Sequence, residues 1–144
     1  MRFMKTRLLP LVLLLLSSVA AGQTLPPAAT QFFQTNGKPY FIVFYVKGEN
    51  YSRERSKEET DRLLLGHLGY LRKQVEAGKY ALTGPIMDDG HVRGIVAMEA
   101  ASAEEARQIL SGDPMIQSGQ FAIEIHPGIL TDLSAVKATY PTVR

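Results

Sequence analysis

The sequence contains no cysteine, which excludes disulfide scaffolds, thiolate zinc sites, iron–sulfur clusters and thiol catalysis in any compartment. Several catalytic signatures are missing as well. There is no GxSxG, no P-loop, no GxGxxG after a strand and no HExxH, so serine hydrolase, nucleotide and metalloprotease readings have no footing. The three histidines, His67, His91 and His126, stand at neither HxH nor HxxxH spacing. Asp88, Asp89 and His91 read as turn polarity. No metal and no cofactor site is therefore expected.

Strong charge is the next absence. The whole chain carries 16 Lys+Arg against 14 Asp+Glu, a formal +2, and the excess lies in the leader. Arg2, Lys5 and Arg7 precede the apolar run Leu8 to Leu16, and small residues follow from Ser17 to Gly22. This is the three-part form of a secretory signal. The apolar run falls short of the roughly 20 residues that cross a bilayer, and no cysteine follows to carry a lipid. Residues 1–21 are expected to be a signal peptide, cut after Ala21 or one residue later, leaving a periplasmic or secreted chain with no membrane span. Without those three cations, 13 Lys+Arg face 14 Asp+Glu, a formal −1. Nucleic acids are bound by clustered cations. The one basic cluster, Arg53, Arg55 and Lys57, is interleaved with Glu54, Glu58 and Glu59 and reads as a solvated loop and first helical turn. No nucleic-acid partner is expected.

Residues 22–39 are polar and proline-bearing, a flexible arm on which Phe32 and Phe33 could still pack. At Tyr40 an aromatic and β-branched run begins, Tyr40-Phe41-Ile42-Val43-Phe44-Tyr45-Val46, which suits a strand buried on both faces. Ser56-Lys57-Glu58-Glu59 has the form of a capping box. Leu64, Leu68, Leu71 and Val75 follow at helical spacing, and Gly78 is a stop. Strands are expected over 80–83 and 94–99, joined by a loop holding Asp88-Asp89-Gly90. Ser102-Ala103-Glu104-Glu105 is a second capping box, followed by Ala106, Ile109 and Leu110 on one face. After Asp113-Pro114, residues 121–125 alternate as a last strand. The order β-α-β-β-α-β predicts a ferredoxin-like α+β domain over 40–128, an antiparallel sheet with two helices on one face. The doubly apolar first strand asks for cover on the second face, most simply from a second copy of the chain. Residues 129–144 are expected to be a tail.

One histidine differs from the others. His67 falls at the margin of the first helix's apolar stripe, where a ring can be partly desolvated with one nitrogen open to a cleft, as a general acid or base requires. A purely structural histidine is the competing reading. Gly66 and Gly69 flank it and suggest close approach by another backbone or a ligand. Asp113 before Pro114 is a routine helix start. The same carboxylate could orient an imidazole if different oxygens serve each role. No oxyanion donor is evident, backbone amides near Gly84 or Gly119 being candidates.

The ordered set His67-Leu68-Gly69-Tyr70-Leu71, Glu76-Ala77-Gly78-Lys79, Gly84-Pro85, Asp89-Gly90, Gly94, Glu104-Glu105-Ala106 and Asp113-Pro114 resembles the YciI-like (YCII-related domain) family over residues 40–128. The resemblance implies a ferredoxin-like fold assembled into a dimeric α+β barrel, with a His-Asp pair in a cleft falling on His67 and Asp113. Members often carry Arg-Pro shortly before that histidine, where this chain has Leu64-Leu65-Gly66. Relatives include a dehydrochlorinase of a chlorinated hydroxyhydroquinone, and muconolactone isomerases share the broader fold. The resemblance thus implies cofactor-independent proton transfer, elimination or isomerisation, on a small organic substrate. A non-catalytic dimeric module binding a small ligand or a protein is the alternative.

Overall fold

A computed structural model describes residues 24–131; the signal peptide expected over 1–21 lies outside the described residues. The element order is α1 (Pro27–Asn36), β1 (Gly37–Lys47), α2 (Lys57–Glu76), β2 (Tyr80–Pro85), β3 (Val92–Met98), α3 (Ala103–Leu110), α4 (Pro114–Gln117) and β4 (Phe121–Thr131). The four strands form one antiparallel sheet in the order β2-β3-β1-β4. The helices α2 and α3 pack on one face. Val43, Tyr45, Val96 and Met98 of the sheet form one core with Ala106 and Leu110 of α3, and Leu71 and Val75 of α2 pack against it. This is the ferredoxin-like α+β arrangement. Met98 and Leu110 are fully buried, and burial of such a side chain stabilises by about 1.5–3 kcal/mol.

Local rules account for the helix ends. Ser56 Oγ accepts the Glu59 amide at 3.1 Å, and Ser102 Oγ accepts the Glu105 amide at 3.1 Å. The return half of each box is redirected. Glu105 reaches the Ala101 amide (2.7 Å), and Glu59 sits 3.4 Å from the Arg55 guanidinium. Gly78 ends α2 with φ +70°, a conformation that favours glycine.

Three expectations change. Residues 27–36, read as arm, form α1, with Pro27 in the first turn, where its fixed φ suits a helix start. β1 begins at Gly37, because β4 runs on past Ile125 and supplies partners: Gly37 lies opposite Thr131 and Pro39 opposite Ile129. Prolines that look like stops are tolerated here. Pro127 lies in β4, an edge strand, and Pro39 lies in a stretch of β1 beyond its register with β3, which ends at Phe41 opposite Met98. Edges leave the missing N–H uncompetitive. His126 is consequently inside a strand, exposed, with its ring 5.9 Å from that of Phe44. Of the expected tail, Ile129 to Thr131 belong to β4, and 132–144 lie outside the described residues.

The third change concerns α2. Its stripe was expected to face the core, yet Leu64 and Leu68 are 44% and 51% exposed. They line a cleft between α2 and the sheet. On the opposite sheet face, Ile42, Phe44 and Ile95 are only half-buried and Leu82 is exposed. Among the described residues, no helix is long and apolar enough to cross a membrane.

Candidate active site

The cleft measures about 970 Å³, within the range of small-molecule sites. α2 supplies Leu64, His67, Leu68, Leu71 and Val75 to one wall. The other is built from Tyr45, the end of β2 (Thr83 to Pro85), the start of β3 (Arg93, Gly94), Tyr51 and Phe121. It is apolar with a few polar groups.

Gly66 explains how two distant residues meet there. A side chain at this position would come within 3.1 Å of Pro114 Cγ, so the missing Cβ lets α4 press against α2. Asp113, the residue before Pro114, is then carried onto His67. A side chain at Gly69 would meet nothing within 4 Å, so no backbone among the described residues makes the close approach expected there.

His67 Nδ1 lies 2.8 Å from Asp113 Oδ2 and 3.0 Å from Oδ1. Asp113 is completely buried, whereas the His67 side chain keeps 12% exposure. The carboxylate also accepts the Met115 amide at Oδ1 (2.9 Å) and the Tyr45 hydroxyl at Oδ2 (3.0 Å). Asp113 therefore caps α4 and engages the imidazole at once. Since the carboxylate only accepts, the network assigns the proton to His67 Nδ1. Nε2 makes no hydrogen bond among the described residues and belongs to a ring that lines the cleft.

The surroundings hold this geometry. The His67 ring meets Tyr45 edge-on at 5.5 Å and Phe121 edge-on at 5.8 Å. Burial, reinforced by Tyr80 and the Asp113 carboxylate, holds the Tyr45 hydroxyl far above the usual phenol value, so it donates to Asp113 throughout the neutral range. Burial likewise raises Tyr80 and Tyr70. Among the described residues, no three His, Asp or Glu side chains gather as metal ligands would. The amide of Gly119, one candidate oxyanion donor, is bonded to Ile116 O at 3.0 Å, while Gly84 lines the cleft.

A model of the YCII-related domain matches residues 41–126, a span that holds most of β1, the start of β4, all of β2, β3, α2 and α3, and the His67–Asp113 contact. The chain belongs to the YCII-related domain family. Among solved structures it is similar to 5-chloro-2-hydroxyhydroquinone dehydrochlorinase (TftG) from Burkholderia phenoliruptrix AC1100, determined in complex with 2,5-dihydroxybenzoquinone. That likeness has 20% sequence identity and a TM-score of 0.45, covering 62% of this chain and 91% of the other. No curated protein matches the chain.

Within this YCII-related domain, residue-level reading singled out His67 and Asp113 and left Tyr45, Tyr51, Phe121 and Arg55 unassigned. Arg55 was read as part of a solvated loop. Arg53 and Lys57 are indeed exposed, but the Arg55 side chain keeps 6% exposure. Its Nη1 donates to Asn50 O, Arg53 O and Gln120 Oε1, tying the loop that carries Tyr51 to the segment that leads into Phe121. Composition treats all three cations alike, and only the chain reversal before Phe121 buries the middle one.

Proposed function

We propose that the protein is an exported, cofactor-independent enzyme in which His67, oriented by Asp113, transfers a proton during elimination or isomerisation of a small organic substrate. The observation that carries this reading is the hydrogen-bonded His67–Asp113 contact at the wall of a mainly apolar cleft. With the proton on Nδ1, Nε2 offers a lone pair as general base. It takes a proton from a substrate carbon, and the C–H electron pair becomes a new π bond. In elimination a leaving group departs with its own electron pair; in isomerisation the proton returns at another carbon. The buried carboxylate stabilises the imidazolium formed in between. Asp113 is a positioning residue here, held in turn by Tyr45 and the Met115 amide.

The test is a panel of lactones and halogenated phenols presented to wild type and to His67→Ala. We expect wild-type turnover and a loss of about 10²- to 10⁴-fold in the variant, the usual contribution of a positioned base. Turnover that survives the substitution removes His67 from the mechanism, and binding without turnover in wild type favours a ligand-binding module. Export is checked by the intact mass of periplasmic or secreted material, which should begin at Gly22 or Gln23.

The protein is further proposed to be a homodimer joined through its second sheet face. Ile42, Phe44, Ile95 and Leu82 are cross-strand neighbours left partly uncovered on that face, and two such sheets pack at about 10 Å. Sedimentation should give twice the chain mass for wild type and a folded monomer for Phe44→Glu. A wild-type monomer at micromolar concentration would sink this assembly.

A further inference from the structure

We infer that the cleft takes a planar organic anion and that Arg93 holds its acidic group. This inference rests on the reading of the cleft as a substrate site and names the substrate class.

One cation, Arg93, lines an end of the cleft, and a second, Lys47, stands beside it on the same Tyr51 ring. Arg93, at the start of β3, lines the cleft, lies 6.0 Å from the centre of the Tyr51 ring and donates through Nη1 to the backbone oxygen of Asp88. Lys47, at the end of β1, approaches the same ring at 5.3 Å and donates to the backbone oxygen of Asp89 at 3.0 Å. Neither cation forms an ion pair among the described residues, and Asp88 Oδ1 accepts the Gly90 amide instead. The other arginine on the cleft, Arg72, is paired with Glu76 at 2.7 Å. A guanidinium has five N–H donors, and Arg93 spends one side of its fork on a single carbonyl.

The wall between Arg93 and His67 is aromatic. Tyr51 stacks on Phe121, with centroids 6.4 Å apart at 25°, and Phe121 meets the His67 ring at 5.8 Å. Such a surface suits a flat conjugated ring, with an oxyanion or carboxylate held at the Arg93 end by charge-assisted hydrogen bonds. α2 offers no cation at Leu64, Leu65 or Gly66, so the anchor for charge comes from the sheet side.

The experiment titrates the purified protein with benzoate and with its neutral counterpart benzamide, following the amide signals of Gly94 and Phe121 by NMR. Benzoate should bind at least about tenfold more tightly than benzamide, and Arg93→Met should lose about tenfold of the benzoate affinity while leaving benzamide unchanged. Equal affinities in wild type, or an unchanged benzoate affinity in Arg93→Met, would overturn the inference. If that variant does not fold, the wild-type comparison still decides. Benzoate binding is read in wild type without turnover, so the anion site stands or falls independently of proton transfer. Turnover of neutral compounds without benzoate binding would sink the anion site and leave His67 as base.

Discussion

Asp113→Asn is expected to lower turnover by about 10²- to 10⁴-fold and to cost roughly 1–3 kcal/mol of stability. Three donors converge on the buried carboxylate: the Met115 amide, the Tyr45 hydroxyl and His67 Nδ1. An ionised Asp can accept from all of them, but an Asn of the same shape has one oxygen and must present an NH₂ where the other was. If that NH₂ replaces Oδ1, it opposes the Met115 amide. If it replaces Oδ2, it faces Tyr45 and His67, and the ring moves its proton to Nε2 so that Nδ1 can accept. The cleft then receives a donor in place of a base. Nitrogen-15 spectra of the ring report this directly, with the proton on Nδ1 in wild type and on Nε2 in the variant. An unchanged tautomer together with undiminished turnover would remove the pair from the mechanism.

The four strands and the helices α2 and α3 were legible because their signals are local, whereas α1 lay in a stretch that reads as an arm. An aromatic and β-branched run, two S-x-x-E boxes and a terminal glycine each depend on residues within one turn or one strand. The ends of β1 and β4 were not, because Pro39 and Pro127 read as stops until sheet order shows that each lies beside an open edge. The orientation of α2 was half legible. Helical spacing groups Leu64, Leu68, Leu71 and Val75, but it cannot say that Leu71 and Val75 reach the core while Leu64 and Leu68 border a cleft. For the site, helix geometry marked His67 and the Asp-Pro pair marked a helix start, while their juxtaposition was an expectation carried by the family resemblance. The contact itself depends on Gly66 meeting Pro114, a long-range fit with no local pattern. Tyr45 was hidden for a related reason: one aromatic among four in a strand shows neither which face it occupies nor that its hydroxyl meets a carboxylate 68 positions later.

Alkali should unfold this protein sharply, and two tyrosines set the onset. Tyr45 and Tyr80 are both almost completely buried, and burial is the chief cause that raises each hydroxyl well above its ordinary value. The unfolded chain releases these protons near the ordinary value of about pH 10, while the folded protein keeps them. Their contribution is therefore fully present below about pH 10 and is lost as pH rises above it, by about 1.4 kcal/mol per pH unit for each tyrosine. Two such groups over about two pH units amount to roughly 5 kcal/mol, comparable with the whole stability of a small domain. Urea unfolding at a series of alkaline pH values measures the slope, and tyrosinate absorbance should develop together with loss of structure. Single substitutions separate the two. Among the described residues the Tyr80 hydroxyl has no hydrogen-bond partner, so Tyr80→Phe should lower the slope by about 1.4 kcal/mol per pH unit at little cost at neutral pH. Tyr45→Phe should lower it by the same amount, but it deprives Asp113 of a donor and so costs about 1–3 kcal/mol at neutral pH and slows turnover with it. Tyrosinate absorbance that rises to completion in the native protein, ahead of any unfolding, would show that these hydroxyls ionise without opening the core.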